Sequence, residues 1–434
     1  TDTYYLWIWL DAEETSSETM NQSFSLSLNG SCMNDVPASK PDIKDGMIPV
    51  VISSNGITST VSEDDASWYN YNNKEWANMV LVSDDSSRST YQNTSGVVVS
   101  KDDILAYYVW IPRYKYRIWT TSNSSKGSEQ EIDIIFESKD TTKSTGTQVG
   151  EYITHPAFTF GNTELNGIWV GKFETGGTAT APLIKPNISS LRRQTVSEEF
   201  TTAQIFGTST YGMTSNVDAH MMKNSEWGAV AYLSHSRYGV NREIYINNSS
   251  GYYTGRSGGN VGGSTAINTV YTNQTSKTQY NTYGFYTWDG YLLEYNTNTK
   301  SGTHDISKVA STTGNITGVY DMSGGAYEHV MGNYNNTIRY SSFTTLPDSK
   351  YYDNYTTINS RTACNGGICY GHGLSEVRNW HGDYADFVGN INPWFTRGDY
   401  YNDLSSAGSF YFGARDGDAY SNQAARSVII YKIS

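Results

Sequence analysis

Two segments near the end of the chain, PWFTRGDYYND (residues 393–403) and SFYFGARDGDAYSN (residues 409–422), decide how the rest of the sequence is interpreted. In both segments, glycine and apolar residues alternate with Asp, Tyr, Asn, Ser and Arg. This pattern predicts a rigid frame that displays small polar and aromatic side chains, and Tyr suits recognition because it offers a large contact area at a small entropy cost. The same alternation also fits the Gly/Tyr-rich strand-and-turn ending of an ordinary β-rich domain.

The composition indicates an extracellular protein that is rich in strands and loops. The chain has 434 residues, including 36 Tyr, 11 Trp and 13 Phe, and only 17% are charged, against about 25% in an average soluble protein. The net charge of −13 argues against a nucleic-acid partner and against adsorption to anionic lipid, since both favour a basic surface. No apolar run approaches the roughly 20 residues of a membrane span. We therefore expect a secreted protein without direct membrane insertion.

The chain has three cysteines, Cys32, Cys364 and Cys369. The spacing Cys364-Asn-Gly-Gly-Ile-Cys369 allows a small closed loop in which the glycines make the tight turn, and we predict a disulfide between these two residues. Cys32 is then unpaired, although either of the other cysteines could pair with it instead. No second Cys/His pair stands at ligand spacing nearby, which disfavours a metal site.

Residues 1–34 are expected to be terminal strands of an upstream β-sandwich. Residues 4–10 are apolar on both faces and residues 23–29 alternate as a half-buried strand does, but two strands alone do not make a stable sheet. TDTYYLWIWLDAEET…MNQSFSLSLNGSC resembles the closing strands of Firmicute surface and biofilm-fibre proteins of the TasA/camelysin type. The resemblance implies an exported Gram-positive protein, represented by a C-terminal fragment whose leader is removed or lies upstream of Thr1. Strands that pair with a neighbouring subunit would look the same.

Residues 35–434 are expected to form the main domain. An Asn/Gly/Ser/Thr/Tyr-rich insertion at 240–303 is too polar to have its own core, so we predict a surface excursion there. Capping and acidic residues predict helices at 101–106, 197–206 and 224–238. Apolar runs and alternation predict the strands, at 47–52, 107–112 with a continuation to 118, 131–136, 155–158 and 168–174.

Four segments resemble, in order, motifs of the formylglycine-generating-enzyme (sulfatase-modifying) superfamily, a branch of the C-type-lectin-like folds. TGNITGVYDMSGGAYEHV (residues 313–330) resembles G-N-x-x-G-L-x-D-M-x-G-N-V-W-E-W, with Gly325, Tyr327 and His329 in place of Asn, Trp and Trp. The other three are VWIPRYKYRIW, HMMKNSEWGAVAYL and WFTRG, which resemble the family's V-x-I-P-G-G-x-F strand, L-P-T-E-A-E-W-E-Y-A-A helix and V-x-R-G-G-S-W strand. The resemblance covers roughly residues 105–434. It implies an α+β, C-type-lectin-like fold with short strands, two main helices and much irregular loop.

The oxidase activity of this superfamily is not expected here. Its oxidising members bind copper through two cysteines, spaced C-x₄-C, directly after the R-G-G-S-W strand. In this chain Cys364 and Cys369 precede Arg397-Gly398, and no cysteine follows. Other members use histidines on non-haem iron, but the seven histidines here show no H-x₃-H-x-E grouping, and a site at His372 and His381 is an alternative to ordinary loop histidines.

We therefore predict a protein that is not an enzyme and has no metal or cofactor, with structural Ca²⁺ as the one exception that the fold and its acidic loops allow. Carboxylates beside aromatic residues are predicted to be structural hydrogen-bond acceptors, namely Glu226, Asp321 and Glu328. Fold alone does not imply function.

Several proteins of this fold end in a ligand-binding surface at the same region, including variable proteins that retroelements diversify in phages and gut bacteria. The resemblance implies a ligand-display region at 379–434, in a non-catalytic adhesin on the bacterial cell surface. Its partner would be a protein or glycan on another cell, a phage or a host. The predicted ligand-binding residues are Asp399, Tyr400, Tyr401, Asn402, Asp403, Ser405, Ser406, Tyr411, Arg415, Asp416, Asp418, Tyr420, Ser421 and Asn422.

Two other functions remain open from the sequence. The alternative to the adhesin is a structural subunit of a surface filament or pilus, which self-assembles through residues 4–10 or the C-terminal strand 428–433. A residual copper oxidase is the third hypothesis. Arg397-Gly398-Asp399 also spells an integrin-type tripeptide, which we attribute to chance, because a family Arg-Gly is followed here by a variable Asp.

Overall fold

A computed structural model describes most of the chain after residue 35. The described residues are 36–54, 56–119, 127–146, 150–247, 251–256, 310–356, 369–401, 403 and 406–431, together with four two-residue strands between 266 and 293. The chain divides into two compact units, Thr1–Asp35 and Val36–Ser434. The predicted N-terminal strands lie outside the described residues, and so do Cys32, Cys364, Asn402, Ser405 and the end of the predicted C-terminal strand at 432–433.

Strands dominate the second unit. They are β1 (Ile48–Ile52), β2 (Thr58–Thr60), β3 (Asn78–Val82), β4 (Ile104–Pro112), β5 (Tyr114–Arg117), β6 (Asp133–Phe136), β7 (Ile153–Thr154), β8 (Thr159–Phe160), β9 (Thr163–Glu164), β10 (Gly167–Gly171), β11 (Gly176–Thr178), β12 (Ala181–Leu183), β13 (Val217–Met221), β14 (Ala266–Ile267), β15 (Tyr280–Asn281), β16 (Phe285–Tyr286), β17 (Leu292–Leu293), β18 (Tyr327–Tyr334), β19 (Asp353–Tyr355), β20 (Trp394–Gly398), β21 (Gly408–Arg415), β22 (Gln423–Ala425) and β23 (Ser427–Tyr431). The described α-helices are α1 (Asp85–Asn93), α2 (Val196–Ile205) and α3 (Asn224–Ser234).

The larger sheet has seven strands in the order β13-β23-β10-β4-β3-β1-β2, and all its pairs are antiparallel. β4 and β10 lie in its middle and are buried almost throughout, which explains why both read as apolar runs without alternation. Their aromatic residues meet across the pair, with the rings of Trp110 and Trp169 5.2 Å apart. β23 lies between β10 and β13, so neighbours in the same chain occupy both of its edges.

The second sheet positions the end of the chain. Its strands follow the order β19-β18-β20-β21, and β22 pairs with the first half of β18. β18 and β20 are antiparallel, with Glu328 opposite Arg397. The start of β18 therefore lies beside the end of β20, which brings Tyr327 next to the loop that begins at Asp399.

The helices follow the capping signals only in part. α2 and α3 form where they are predicted, and in each a glutamate accepts a hydrogen bond from a backbone N–H just before the helix: Glu198 from Thr195 N at 2.8 Å, and Glu226 from Lys223 N at 2.7 Å. α2 thus starts one residue before its predicted N-cap, Ser197. α3 starts at its predicted N-cap, Asn224, and ends at Ser234 rather than at 238. The helix predicted at 101–106 is wrong, because a turn there leads directly into β4, and α1 was not predicted.

These elements confirm the α+β class. The surface excursion predicted at 240–303 needs one correction, because Ile244, Tyr245 and Ile246 are buried in the core and Asn247 forms a bridge with Gly324. The described residues of this stretch are therefore part of the core through Asn247, and Thr254 and Gly255 are buried as well. The strand predicted at 155–158 is a short 3-10 turn instead, as Pro156 at its start favours.

Candidate ligand-binding face

Six tyrosine rings form a continuous row at the end of the second sheet. In spatial order they are Tyr384, Tyr411, Tyr327, Tyr400, Tyr401 and Tyr252, and successive ring centroids lie 6.1, 5.9, 5.1, 5.4 and 5.0 Å apart. These spacings lie in the range in which aromatic pairs attract each other beyond simple burial. We refer to these six residues as the tyrosine row.

Five separate parts of the chain supply the row. Tyr327 starts β18, Tyr411 lies in β21, and Tyr400 and Tyr401 belong to the loop after β20. That loop is fixed by its backbone, since Gly324 N donates to Gly398 O at 2.9 Å and Tyr401 N donates to Gly325 O at 2.9 Å. Tyr384 and Tyr252 extend the row at its two ends.

The row combines buried and accessible rings. Tyr327 and Tyr411 are 6% and 3% exposed and support the others, whereas Tyr384 is 48% exposed. Tyr252, Tyr400 and Tyr401 are half-buried. The accessible rings are therefore held by neighbours that cannot move freely, which lowers the entropy that a ligand contact would cost.

Two arginines lie against the rings. The guanidinium of Arg415 lies 4.7 Å from the centre of Tyr327, and that of Arg192 lies 4.0 Å from the centre of Tyr252. At these distances a cation is attracted to the face of an aromatic ring. Arg192 also donates a hydrogen bond to the backbone oxygen of Ser421, which ties the row to the turn after β21.

A pair of carboxyl groups lies beneath the row. Asp399 is only 1% exposed, and burial raises its pKa to about 8, with a further rise from the neighbouring Asp403. Asp403 Oδ2 accepts a hydrogen bond of 2.8 Å from the Tyr327 hydroxyl. At neutral pH Asp399 is therefore mostly protonated, and its carboxyl group can donate a hydrogen bond to Asp403.

The turn after β21 continues the face. Tyr420 is 43% exposed, and its hydroxyl donates to Asp416 Oδ2 at 3.1 Å. Asp418 caps the turn locally by accepting from Ala419 N at 2.7 Å, and Asn422 O accepts from Tyr327 N at 2.9 Å.

The structure thus brings most of the predicted residues into one region, with different roles. Asp399 and Tyr411 are buried and act as supports, while the remaining described ones are half-buried or exposed, namely Tyr400, Tyr401, Asp403, Ser406, Arg415, Asp416, Asp418, Tyr420, Ser421 and Asn422. Sequence reasoning missed Arg192, Tyr252, Tyr327 and Tyr384. A signal existed for Tyr327 alone, because it stands where the superfamily motif has Trp.

The Arg397-Gly398-Asp399 tripeptide is not an accessible recognition motif. All three residues are buried, and Arg397 donates from Nη1 to Asn224 Oδ1 at 2.9 Å and from Nη2 to Gly373 O at 2.8 Å. Burial makes integrin-type recognition of this tripeptide unfavourable, and the attribution to chance stays a prediction. Arg397 instead joins α3 to the segment after residue 369.

Three predicted structural carboxylates do serve as hydrogen-bond acceptors. Glu226 accepts from the backbone before α3, Asp321 accepts from Asn247 Nδ2 at 2.8 Å, and Glu328 accepts from Arg426 Nε at 2.9 Å. All three are buried. This prediction is confirmed.

Groups that suit a metal or a small ligand lie away from the tyrosine row. Among the described residues, Glu129, His235 and His381 are the three side chains that meet ligand spacing, whereas His372 contacts Tyr355 instead. A cavity of about 700 Å³ opens near Lys223 and lies apart from the predicted face. We give the face greater weight because it gathers most of the predicted ligand-binding residues, none of which lines this cavity.

Cys369 is buried and disulfide-bonded. Because Cys32 and Cys364 lie outside the described residues, the predicted pairing with Cys364 stays a prediction.

Neither a scan against protein-family models nor a search of curated proteins finds a match to this chain. None of the helices in the described part of the chain has the length and apolar character needed to cross a lipid bilayer. The function is therefore inferred from the geometry of the face.

Proposed function

We propose that this chain is a non-catalytic, secreted bacterial adhesin that binds a protein or glycan ligand at the tyrosine row. The observation that carries the proposal is the row itself, in which accessible tyrosines are held by buried ones and flanked by two arginines. Tyr and Arg are the residues that most often dominate binding energy at interfaces, particularly where they are rigidly held.

The chemistry of the face fits a ligand with flat apolar faces and several hydroxyl or amide groups. The accessible rings offer flat contact area, and the Asp403 carboxylate and the tyrosine hydroxyls offer acceptors and donors at their edges. Arg415 and Arg192 add positive charge at two points of the row in a chain whose net charge is −13. The two arginines can donate to acceptor groups of a ligand, while Asp403, Asp416 and Asp418 on the same face can accept from its donor groups.

The C-type-lectin-like fold is part of the same proposal. It is supported by the sheet that joins β18, from the D-M-S-G-G segment, to β20, from the W-F-T-R-G segment, since both segments carry the resemblance.

No observation on the described residues supports the filament alternative. Both edges of β23 are occupied by β10 and β13, so residues 428–431 have no free edge for a neighbouring subunit. The other predicted pairing segment, residues 4–10, lies outside the described residues, so that part of the alternative stays a prediction.

The proposal is tested by replacing three of the four accessible rings, Tyr384, Tyr400 and Tyr401, together with Ala, while the buried Tyr411 is kept so that the fold survives. Binding of the fluorescently labelled chain to a printed glycan array and to intact bacterial and epithelial cells is measured. If each ring contributes at least about 1 kcal/mol, affinity falls at least about 100-fold.

The matched control is Trp119→Ala, which removes an exposed aromatic ring near the three-stranded sheet β6-β5-β7 and should leave binding unchanged. Circular dichroism confirms that both variants fold. Unchanged binding by the folded triple variant would place the ligand elsewhere and refute the proposal.

A further inference from the structure

A cluster of three potential metal ligands lies on the opposite side of β21 from the tyrosine row. Glu129 precedes β6, His235 directly follows α3, and His381 lies in the turn after Trp380. One ligand atom from each residue lies within 4.8 Å of the other two. The two imidazole rings are 5.0 Å apart, and Nδ1 of His381 is 2.9 Å from Oε1 of Glu129.

The surrounding backbone holds the three segments together. Trp380 Nε1 donates to Gly127 O at 2.9 Å, and His381 N donates to Glu129 Oε2 at 3.2 Å. Ile132 N donates to His235 O at 2.9 Å. The cluster is therefore the meeting point of parts of the chain that are more than a hundred residues apart.

The backbone at His381 is strained. Its φ is +54°, a left-handed conformation that few residues other than glycine adopt, and Asn379 has a φ of +61°. Such conformations persist where the surroundings impose them, and they concentrate at functional sites. Here the conformation directs the His381 ring into the cluster.

The histidines are placed as metal ligands rather than as ordinary core residues. Both nitrogens of the His381 ring are buried and make no well-aligned hydrogen bond, despite the short distance to Glu129. The ring of His235 is hydrogen-bonded to the backbone of Gln130, as metal-binding histidines commonly are through the nitrogen that faces away from the metal. Phe410 packs against both histidine rings, at 5.5 and 6.0 Å, and forms the dry side of the site.

We propose that Glu129, His235 and His381 bind a divalent transition-metal ion of the zinc type. Two imidazole nitrogens and one carboxylate oxygen suit zinc, and they suit calcium or magnesium poorly, since those ions take oxygen ligands. The side chain of Glu129 is 46% exposed, which gives the ion a path from solvent and leaves room for water as a fourth ligand.

An ion pair between Glu129 and His381 without a metal ion accounts for fewer of these observations. It would use one nitrogen of His381 and leave the other buried without a partner, and it gives His235 no role. The site would also act independently of the tyrosine row, because Phe410 and Tyr411 are successive residues of β21 and point to opposite faces. A bound ion would join the segment before β6, the end of α3 and the turn at 379–382.

The test uses the tag-free, full-length chain after removal of metal with a chelator. Zn²⁺ binding is measured by calorimetry and thermal unfolding, and Co²⁺ binding by visible absorption. We expect one Zn²⁺ per chain, a rise in Tm of at least about 2 °C at a hundredfold excess over Kd, and the strong absorption bands of four-coordinate Co²⁺.

Glu129→Gln should weaken Zn²⁺ binding at least about tenfold, and because Glu129 is half exposed this variant should fold. Glu131→Gln, two residues away in the same segment and outside the cluster, is the matched control and should bind as the wild type does. His381→Asn is a second variant, because Asn tolerates the left-handed backbone.

Three results would overturn the proposal. They are no Zn²⁺ binding by the wild-type chain, equal loss of binding in the two glutamate variants, and a weak Co²⁺ spectrum typical of six-coordinate, water-rich binding.

Discussion

Asp399→Asn should remove a pH-dependent loss of stability that originates beneath the tyrosine row. Burial raises the pKa of Asp399 to about 8 from an ordinary value of 3.8, and the nearby Asp403 adds to the rise. The folded chain therefore binds a proton more tightly than the unfolded chain. Folding is favoured when Asp399 is protonated in both states, and this advantage is lost as the pH rises from about 4 through about 8.

The size of the pH effect on stability follows from the one proton that Asp399 binds in the folded chain but not in the unfolded chain. One proton bound only in the folded state changes the free energy of unfolding by about 1.36 kcal/mol per pH unit, so the limit between pH 5 and pH 8 is about 4 kcal/mol. We expect about 2 kcal/mol, because the loop after β20 can admit water to the charged carboxylate. Asn is a neutral match for protonated Asp and also tolerates the φ of +62° at this position.

The assay is urea unfolding of both proteins at pH 5 and pH 8, followed by tryptophan fluorescence. The Asn variant should be the more stable protein at both pH values, and its advantage over the wild type should grow by about 2 kcal/mol between pH 5 and pH 8. Burial also raises the pKa of Glu328 and Glu376 to about 7, but both titrate in either protein, so the difference isolates Asp399.

Asp416→Asn is the matched control. It removes a half-buried carboxylate of the same face that accepts from Tyr420, and it should leave the pH dependence of the wild type unchanged. If Asp399→Asn lost as much stability between pH 5 and pH 8 as the wild type, Asp399 would be ionised in the fold and the reasoning would be refuted.

Two further predictions concern the frame behind the face. Gly228→Ala should lower the free energy of unfolding by about 2 kcal/mol, because a Cβ there would overlap the carbonyl oxygen of Gly371 and this clash outweighs the gain in helix propensity. The control is Gly389→Ala, where a Cβ would meet nothing within 4 Å. It should change the free energy of unfolding by less than about 0.5 kcal/mol in the same urea experiment. Arg426→Met should lower the free energy of unfolding by about 3–5 kcal/mol at pH 8, because it leaves the Glu328 carboxylate buried without its cation. The loss should be smaller at pH 5, where that carboxyl is protonated. An equal loss at both pH values would contradict this assignment.

Local signals predicted many elements of this fold. β4 and β10 were predicted because strands buried on both faces are apolar throughout, and α2 and α3 because glutamates near their first turns signal helix starts. The error at 101–106 has a physical cause as well. Its acidic residues lie in a turn before β4. The burial of Ile104 at the start of that strand is more favourable than the local preference for a helix.

The sequence alone determined where the candidate face lies along the chain, because alternation of glycine and apolar residues with Tyr and Asp is a local property of residues 393–422. It did not determine which of these side chains are accessible. Asp399 and Tyr411 look like exposed positions in the pattern, but the bend at Gly398 and the packing of Tyr327 bury them.

Only the tertiary structure decided the composition of the tyrosine row and of the histidine cluster. Tyr252 and Tyr401 are about 150 residues apart, as are His235 and His381, and they meet because β18, β20 and β21 pair and α3 packs behind them. Contacts between such distant residues follow from sheet order and register. Those are set by burial over the whole chain, and no local pattern in the sequence records them.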